Sequence, residues 1–450
     1  MVESVEEVHR ALRTVTEYAR KWRFSFNGSK SAVMAWGGRG FRTRVKEECF
    51  VCTNSVVPAK NEYEYLGILV TEDLNWNRQV EKMITSCRTR TKSLIWKLTN
   101  GRKVRPRTAI YVWNTMIRPG LEYASEVWSH GLTEDQENKI ESIQNLFVRK
   151  MCQLPGGTAS VFLNLEFGVE KLRSRWDKLT IKFLKRLILM NRERLTKQAA
   201  ALGMRNERQR SWWARVKDML NRSSSSGNLG AFVNTEDLER YMSDAEFDID
   251  KRECDDLKEQ VSSMSTLENY HHIKCWDVIS KERAYAKTHI GRQAPRFLEP
   301  YLDEWPNDKR GTRLKILARS GQLLLNGMQA QRSRAMGALS MCLCCNSDSE
   351  ETLHHFLMEC PAYHHLRNRR DQRVHRALSA AQRGVEPGLV MNSGEFDSLS
   401  SYDRMLRILG KRMDLVKTEE AIDRARRKYL VKTWEERKVI HEQWANSEWN

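Results

Sequence analysis

The stretch Val80-Glu-Lys-Met83-Ile84-Thr-Ser-Cys87-Arg88-Thr-Arg90-Thr-Lys92-Ser-Leu94-Ile-Trp96-Lys-Leu98 decides the fold class. Its apolar residues Val80, Met83, Ile84, Cys87, Leu94 and Leu98 fall on one helical stripe, with charges between them. The same period recurs along the chain, from about Asn75 to Leu195. Ile110, Val112, Trp113 and Ile117 form a second stripe, ended by Arg118-Pro119-Gly120. Ile140, Ile143, Leu146, Phe147 and Met151 form a third, ended by Pro155-Gly156-Gly157, and Leu179, Phe183, Leu184, Leu187 and Ile188 a fourth. This predicts a mainly α chain with a small β portion.

The β portion lies upstream. Residues 2–22 form an amphipathic helix on Val5, Val8, Leu12, Val15, Ala19 and Trp22. A helix of that length is marginal alone, so it needs a packing partner. The period then shortens. Phe24 and Phe26 alternate with polar residues, Asn27-Gly28 turns the chain, and residues 32–36 are predicted as a second short strand. Gly37, Gly38 and Gly40 punctuate a loop. A further strand is predicted at Tyr63 to Val70, with Gly67 as a bulge. Downstream, residues 222–230 have linker composition and residues 231–265 are acidic. In that stretch Asp248, Asp250, Asp255 and Asp256 read as a solvated loop rather than a metal-binding set. A basic helix is expected over 311–335, and the charged tail is expected to be helical from about 417.

The chain has 450 residues, with 76 Lys+Arg against 58 Asp+Glu, a net charge of +18 and a pI near 9.5. Its 40% hydrophobic content supports real cores and excludes wholesale disorder. No run approaches about 18 apolar residues, which excludes a membrane span on the sequence. The first twenty residues lack an apolar signal core. The positive excess fits a polyanionic partner, with nucleic acid foremost. Neither a phosphate-binding Gly-rich loop ending in Lys-Ser/Thr nor a Gly-x-Ser-x-Gly elbow is present.

Ten cysteines are too sparse for a disulfide scaffold, and three of them crowd at Cys342, Cys344 and Cys345. The spacing Cys342-x2-Cys345-x9-His355-x4-Cys360 offers four ligands within nineteen residues, enough to close a tetrahedron around structural Zn²⁺ in a reducing compartment. Cys344 and His354 are adjacent rivals for two of the positions. Cys49-x2-Cys52 has no completing pair nearby and reads as ordinary cysteines. Basic clusters interleave with aromatics: Arg88, Arg90 and Lys92 before Trp96; Lys103, Arg105 and Arg107 before Tyr111 and Trp113; Arg367, Arg369, Arg370 and Arg373 after the cysteines. Guanidinium groups grip phosphates, and aromatic faces stack on unpaired bases.

Several short motifs occur in a telling order. Val15-Thr-Glu-Tyr-Ala-Arg-Lys-Trp22, Phe26-Asn27 and Lys30-Ser31-x-Val33-Met34 come first, then Tyr65-Leu66-Gly67 with Asp73-Leu74-Asn75-Trp76. Arg118-Pro119-x-Leu121-Glu-Tyr123 and Val127-Trp128 follow, and Glu351-Thr352, His355 and Cys360-Pro361-Ala-Tyr363 close the series. Over roughly residues 5–190 and 310–370 the set resembles non-LTR (LINE-type) retrotransposon reverse transcriptases downstream of their Asp-Asp box.

The resemblance implies a partial palm with a primer-grip-like hairpin (1–75), a helical thumb (76–195), a linker and helical middle region (196–335), a CCHC zinc knuckle (336–375) and a charged, partly helical tail (376–450). It implies RNA and DNA as partners, a location inside the cell in nucleus or cytoplasm, and a primer-end contact at Tyr65, Leu66 and Gly67. Lys30 would donate a proton to departing pyrophosphate only in an intact polymerase. The catalytic aspartates, and the Mg²⁺ ions they seat, would precede residue 1. The chain would then be the C-terminal part of a reverse transcriptase, from a truncated gene copy or a late-start gene model, and would bind nucleic acid without synthesising DNA alone. The alternative is a non-enzymatic zinc-knuckle nucleic-acid-binding protein; a third reading is a relic with no cellular role.

Overall fold

The computed structural model describes residues 4–100, 104–204, 211–221, 235–274, 276, 298–327, 340–345, 347–383, 391–411 and 416–447. It is mostly helical. Helix α1 (Val5–Lys21) is capped by the Ser4 hydroxyl, which accepts the Glu7 amide, and carries acids at its start and bases at its end. Its Val5, Val8 and Leu12 find their partner in a small core of Val45, Phe50, Cys52 and Val57, whereas Val15 and Trp22 are exposed.

Val45 comes from α2 (Arg39–Glu47), where the sequence predicts a loop. Gly38 stays outside as the cap residue, so the glycines do not stop the helix. Strands β1 (Phe50–Cys52) and β2 (Ser55–Val57) pair antiparallel around Thr53-Asn54, both at positive φ, a primed turn without a glycine to announce it. The strand expected at Tyr63 to Val70 is instead a hairpin of β3 (Glu62–Tyr65) and β4 (Ile68–Thr71). Gly67, at φ 81°, is its turn and not a bulge.

Two expected strands do not form. The Phe26 amide donates to the Thr53 hydroxyl rather than to a ladder. Residues 32–36 make one parallel bridge, Val33 to Ala59, because the partner segment begins at Pro58, which has no N–H to extend the pairing.

The four helical stripes are α3 (Asn77–Thr99), α4 (Pro106–Met116), α7 (Glu134–Met151) and α9 (Leu172–Leu189). Between them lie α5 (Arg118–Glu122), α6 (Ser125–Trp128) and α8 (Ser160–Glu166). Pro119 therefore starts a helix as well as ending one. Trp113 stacks on Phe147 at 5.8 Å, and Trp128 meets Trp176 edge-on at 5.4 Å. Helices α10 (Leu195–Met204) and α11 (Trp212–Asn221) follow. Trp213, Val216 and Met219 of α11 share a second core with Ile181 and Leu184 of α9 and with Tyr241, Ala245 and Ile249 of α12 (Thr235–Ser262).

The rest of the chain folds back onto the first body. It comprises α13 (Glu268–Ile273), α14 (Lys309–Arg319), α15 (His364–Gln382), α16 (Ser393–Ser398), α17 (Ser401–Leu409) and α18 (Val416–Ser447). The basic helix expected to reach 335 ends at Arg319: Gly321 adopts φ 61° and passes so close to Thr266 that a Cβ there would meet its carbonyl oxygen at 2.2 Å. The linker expected over 222–230 and positions 328–335 lie outside the described residues. One core runs from Val80 of α3 through Phe162, Tyr270 and Leu314 to Cys342, Phe356, Cys360 and Tyr429. Buried Glu166 sits at its centre, taking Arg319, Tyr270 at 3.0 Å and Tyr301. No described helix is long and apolar enough to cross a membrane.

Candidate metal centre

The segment around Cys342 closes on itself. Met341 bridges Glu350, and the Cys342 amide donates to Ser349 O at 2.8 Å. The Thr352 hydroxyl then accepts the His355 amide and starts a wide π turn, His355–Glu359, closed by the Cys360 amide on His355 O at 2.8 Å. This brings the donors of Cys342, Cys345, His355 and Cys360 within 4.8 Å of one another. Cys342 Sγ lies 3.8 Å from Cys360 Sγ, and Cys345 Sγ lies 3.4 Å from His355 Nε2. Ligands about 2.3 Å (S) and about 2.0 Å (N) from a tetrahedral ion stand about 3.8 Å (S···S) and about 3.5 Å (S···N) apart. The cluster therefore fits a Cys₃His metal centre. Cys342, His355 and Cys360 are buried and Cys345 is half-buried.

The same geometry separates the rivals. His354 has both ring nitrogens committed, Nδ1 to Glu359 at 3.1 Å and Nε2 to the Ser401 hydroxyl at 3.0 Å. His355 turns Nε2 into the cluster and Nδ1 toward Glu359, 3.6 Å away, the carboxylate–histidine arrangement that orients metal-bound imidazoles. Cys344 groups instead with Cys342 and Glu351. Glu351 is already neutralised by Arg437 through two contacts of 2.7 Å and accepts the Asn326 amide. Hydrogen bonds from Cys344 first, then Cys360, hold the Cys342 thiol well below its ordinary value; the same bonds push those two thiols up.

The other predicted site residues are dispersed. Tyr65 and Leu66 are exposed at the β3–β4 turn with Gly67, where Leu66 O accepts the Tyr123 hydroxyl at 2.7 Å. Lys30 is exposed, and its carbonyl accepts the Tyr63 hydroxyl. Arg88, Arg90 and Lys92 are exposed on α3, with Arg90 donating to Cys87 Sγ at 3.3 Å. Arg105 is exposed, Arg107 pairs with Asp303 at 3.1 Å, and Lys103 lies outside the described residues. Arg367 and Arg370 are buried. The first donates to Glu359 O at 3.3 Å, and the second pairs with Asp371 at 2.7 Å and lies 4.8 Å over the Tyr429 ring. Arg369 is exposed. Cys49 is exposed, and Cys52 is buried where the Thr16 hydroxyl reaches its sulfur.

No family model matches the chain. Among curated proteins, it is 25% identical over 189 residues to the RNA-directed DNA polymerase from mobile element jockey of Drosophila funebris, covering 42% of this chain and 20% of that protein. It is 26% identical over 135 residues, 30% of this chain and 14% of the relative, to the probable RNA-directed DNA polymerase from transposon X-element of Drosophila melanogaster. The jockey polymerase of Drosophila melanogaster matches 172 residues at 21%, covering 38% of this chain and 18% of its own length. The chain is related to LINE-type reverse transcriptases. It spans a fifth or less of the length of these relatives.

A pair of catalytic metal ions needs converging carboxylates to seat it. Among the described residues one all-carboxylate group converges: Glu170, Asp250 and Glu253, all buried. The acidic stretch expected as a solvated loop supplies two of them, since α12 turns Asp248, Asp250 and Glu253 inward and leaves Asp255 and Asp256 exposed. The trio is closed by protein. The buried Lys178 ammonium binds Glu170 and Asp250, and the Lys171 amide donates to Glu253 at 3.0 Å. Lys178 lies one turn beyond Ser174 on α9's inner face, and sequence reading missed it because a lone lysine in a helical stripe carries no signal.

Proposed function

We propose that this chain is a nucleic-acid-binding portion of a non-LTR RNA-directed DNA polymerase, stapled by one structural zinc ion. The observation that carries the reading is its shared sequence with three such polymerases. Cys342, Cys345, His355 and Cys360 would hold the zinc; with all four positions filled by protein, the ion supplies stability and no reactive water. The net charge of +18 supports a phosphate-rich partner, RNA or DNA.

Within this reading residues 1–75 are a palm portion, 76–195 the thumb, 196–335 a middle region, 336–375 the knuckle and 376–450 a basic tail. The exposed Tyr65–Gly67 turn offers backbone and an aromatic ring to a primer end, and Arg88, Arg90, Lys92, Arg105 and Arg107 offer cations to phosphates. Lys30 has a role only where an aspartate-bound metal pair is also present. Among the described residues the one converging acidic trio is already filled by Lys178, and we assign no DNA synthesis to this chain alone.

Two measurements on the full chain test this. Fluorescence anisotropy should detect RNA and DNA binding that weakens with salt. Primer extension on an RNA template with Mg²⁺ should give no product above background; product above background contradicts the assignment. The absence of nucleic-acid binding contradicts the whole reading.

A further inference from the structure

Helices α15 and α18 pack side by side, and a cleft of roughly 710 Å³ runs along their seam. Two ridges of cations rim it. Arg369 and Arg373 stand one turn apart on α15, and Arg424 and Lys428 stand one turn apart on α18; all four are exposed. Four residues of helix rise about 6 Å, so each ridge presents charge at a regular step. None of the four has an acidic partner among the described residues. The acids lining the cleft, Glu304 and Asp308, are taken by buried Arg427 at 3.7 and 2.9 Å. The lining acids therefore meet Arg427 beneath the seam, and among the described residues no carboxylate pairs with the four rim cations.

We propose that this seam is a phosphate track that binds the backbone of one nucleic-acid strand without reading its bases. This rests on the nucleic-acid-binding reading above and gives it a surface. The cleft's volume is of small-ligand size, room for consecutive phosphates of a strand and far short of the volume of a duplex. It offers no base platform: Tyr429, the aromatic residue lining it, is 3% exposed and its ring faces the Arg370 guanidinium. The track is also tied to the metal centre. The Tyr429 hydroxyl donates to Leu357 O at 2.6 Å, and Arg370 Nη1 lies 3.7 Å from Met358 Sδ, both on the π turn that carries His355. The turn that positions a metal ligand thus also sets the spacing of the two ridges.

The test is a salt titration of full-chain binding to a labelled uridine homopolymer, a thymidine homopolymer and a duplex. It compares wild type, the variant R369A/R373A/R424A/K428A, a lysine variant R369K/R373K/R424K, and a control R10A/R13A/R20A/K21A that removes as many exposed charges from α1. Loss of four phosphate contacts flattens the slope of log K against log salt by about 3 for a single strand. Between 50 and 200 mM salt, wild type would then lose about 50-fold more affinity than the cleft variant. The control and the lysine variant should keep the wild-type slope, and the duplex should bind more weakly than either strand. Equal slopes for the cleft variant and wild type overturn the track while leaving nucleic-acid binding in place. A wild-type chain that binds no strand overturns both. A duplex that loses binding in the cleft variant just as the strands do overturns the single-strand assignment.

Discussion

Two clusters in this protein meet the same geometric condition and differ in everything else. Glu170, Asp250 and Glu253 converge within 4.8 Å, as do Cys342, Cys345, His355 and Cys360. The first is buried among helices and already holds a cation, the Lys178 ammonium. The second contains no lysine or arginine, and two of its donor pairs stand one tetrahedral edge apart. Convergence of ligands therefore does not by itself define an ion site. What counts is whether the fold supplies its own counter-charge: where it does, the cluster is a structural ion pair, and where it does not, soft donors at tetrahedral spacing are left for a metal.

The comparison breaks most visibly if the tetrad is dispensable. Cys360→Ser should remove a ligand from the main core and destabilise the chain by on the order of 5 kcal/mol or more in zinc-replete buffer, since structural zinc contributes roughly 10–16 kcal/mol of apparent binding energy in small fingers. A strong thiol-competing chelator should lower the wild-type unfolding midpoint and leave that of Cys360→Ser unmoved. Differential scanning fluorimetry checks both.

Next in size is the sealed trio. Lys178→Met leaves buried carboxylates without their cation and should cost about 3–5 kcal/mol in urea unfolding. Millimolar Mg²⁺ should not change wild-type stability, because the ammonium occupies the space an ion would need.

The smallest effect sharpens the electrostatics beside the trio. Glu141 accepts the Leu172 amide and the Gln144 side-chain amide. Burial above all, with the Glu253 charge adding, pushes its carboxyl up from 4.5 to about 7. A carboxyl raised in the folded state favours folding while protonated, so its contribution is present below pH 4.5 and lost as pH rises through 7. Across that window wild type should lose up to about 3 kcal/mol that Glu141→Gln retains, measured by denaturant unfolding at several pH values.

Much of this was legible in the sequence, for reasons that differ residue by residue. The four stripes are legible because period 3.6 records one buried face, and the tetrad because its ligands lie close in the chain. The choice between His354 and His355 was not, because both turn Nδ1 toward Glu359 and only their Nε2 partners, the Ser401 hydroxyl for His354 and Cys345 Sγ for His355, separate them. The acids of α12 were misread for a related reason: Lys178, which neutralises Asp250, stands 72 residues away and belongs to another helix. The β1–β2 hairpin escaped because Thr53-Asn54 takes positive φ without a glycine, and α2 because its glycines sit at the cap and first turn.

Native mass spectrometry of the intact chain, purified with zinc, tests the central claim most directly. One zinc per chain is expected in wild type, in Cys344→Ser and in His354→Ala, and none in Cys345→Ser or His355→Ala. A metal-free wild-type chain, or zinc retained by Cys345→Ser and lost by Cys344→Ser, would contradict it.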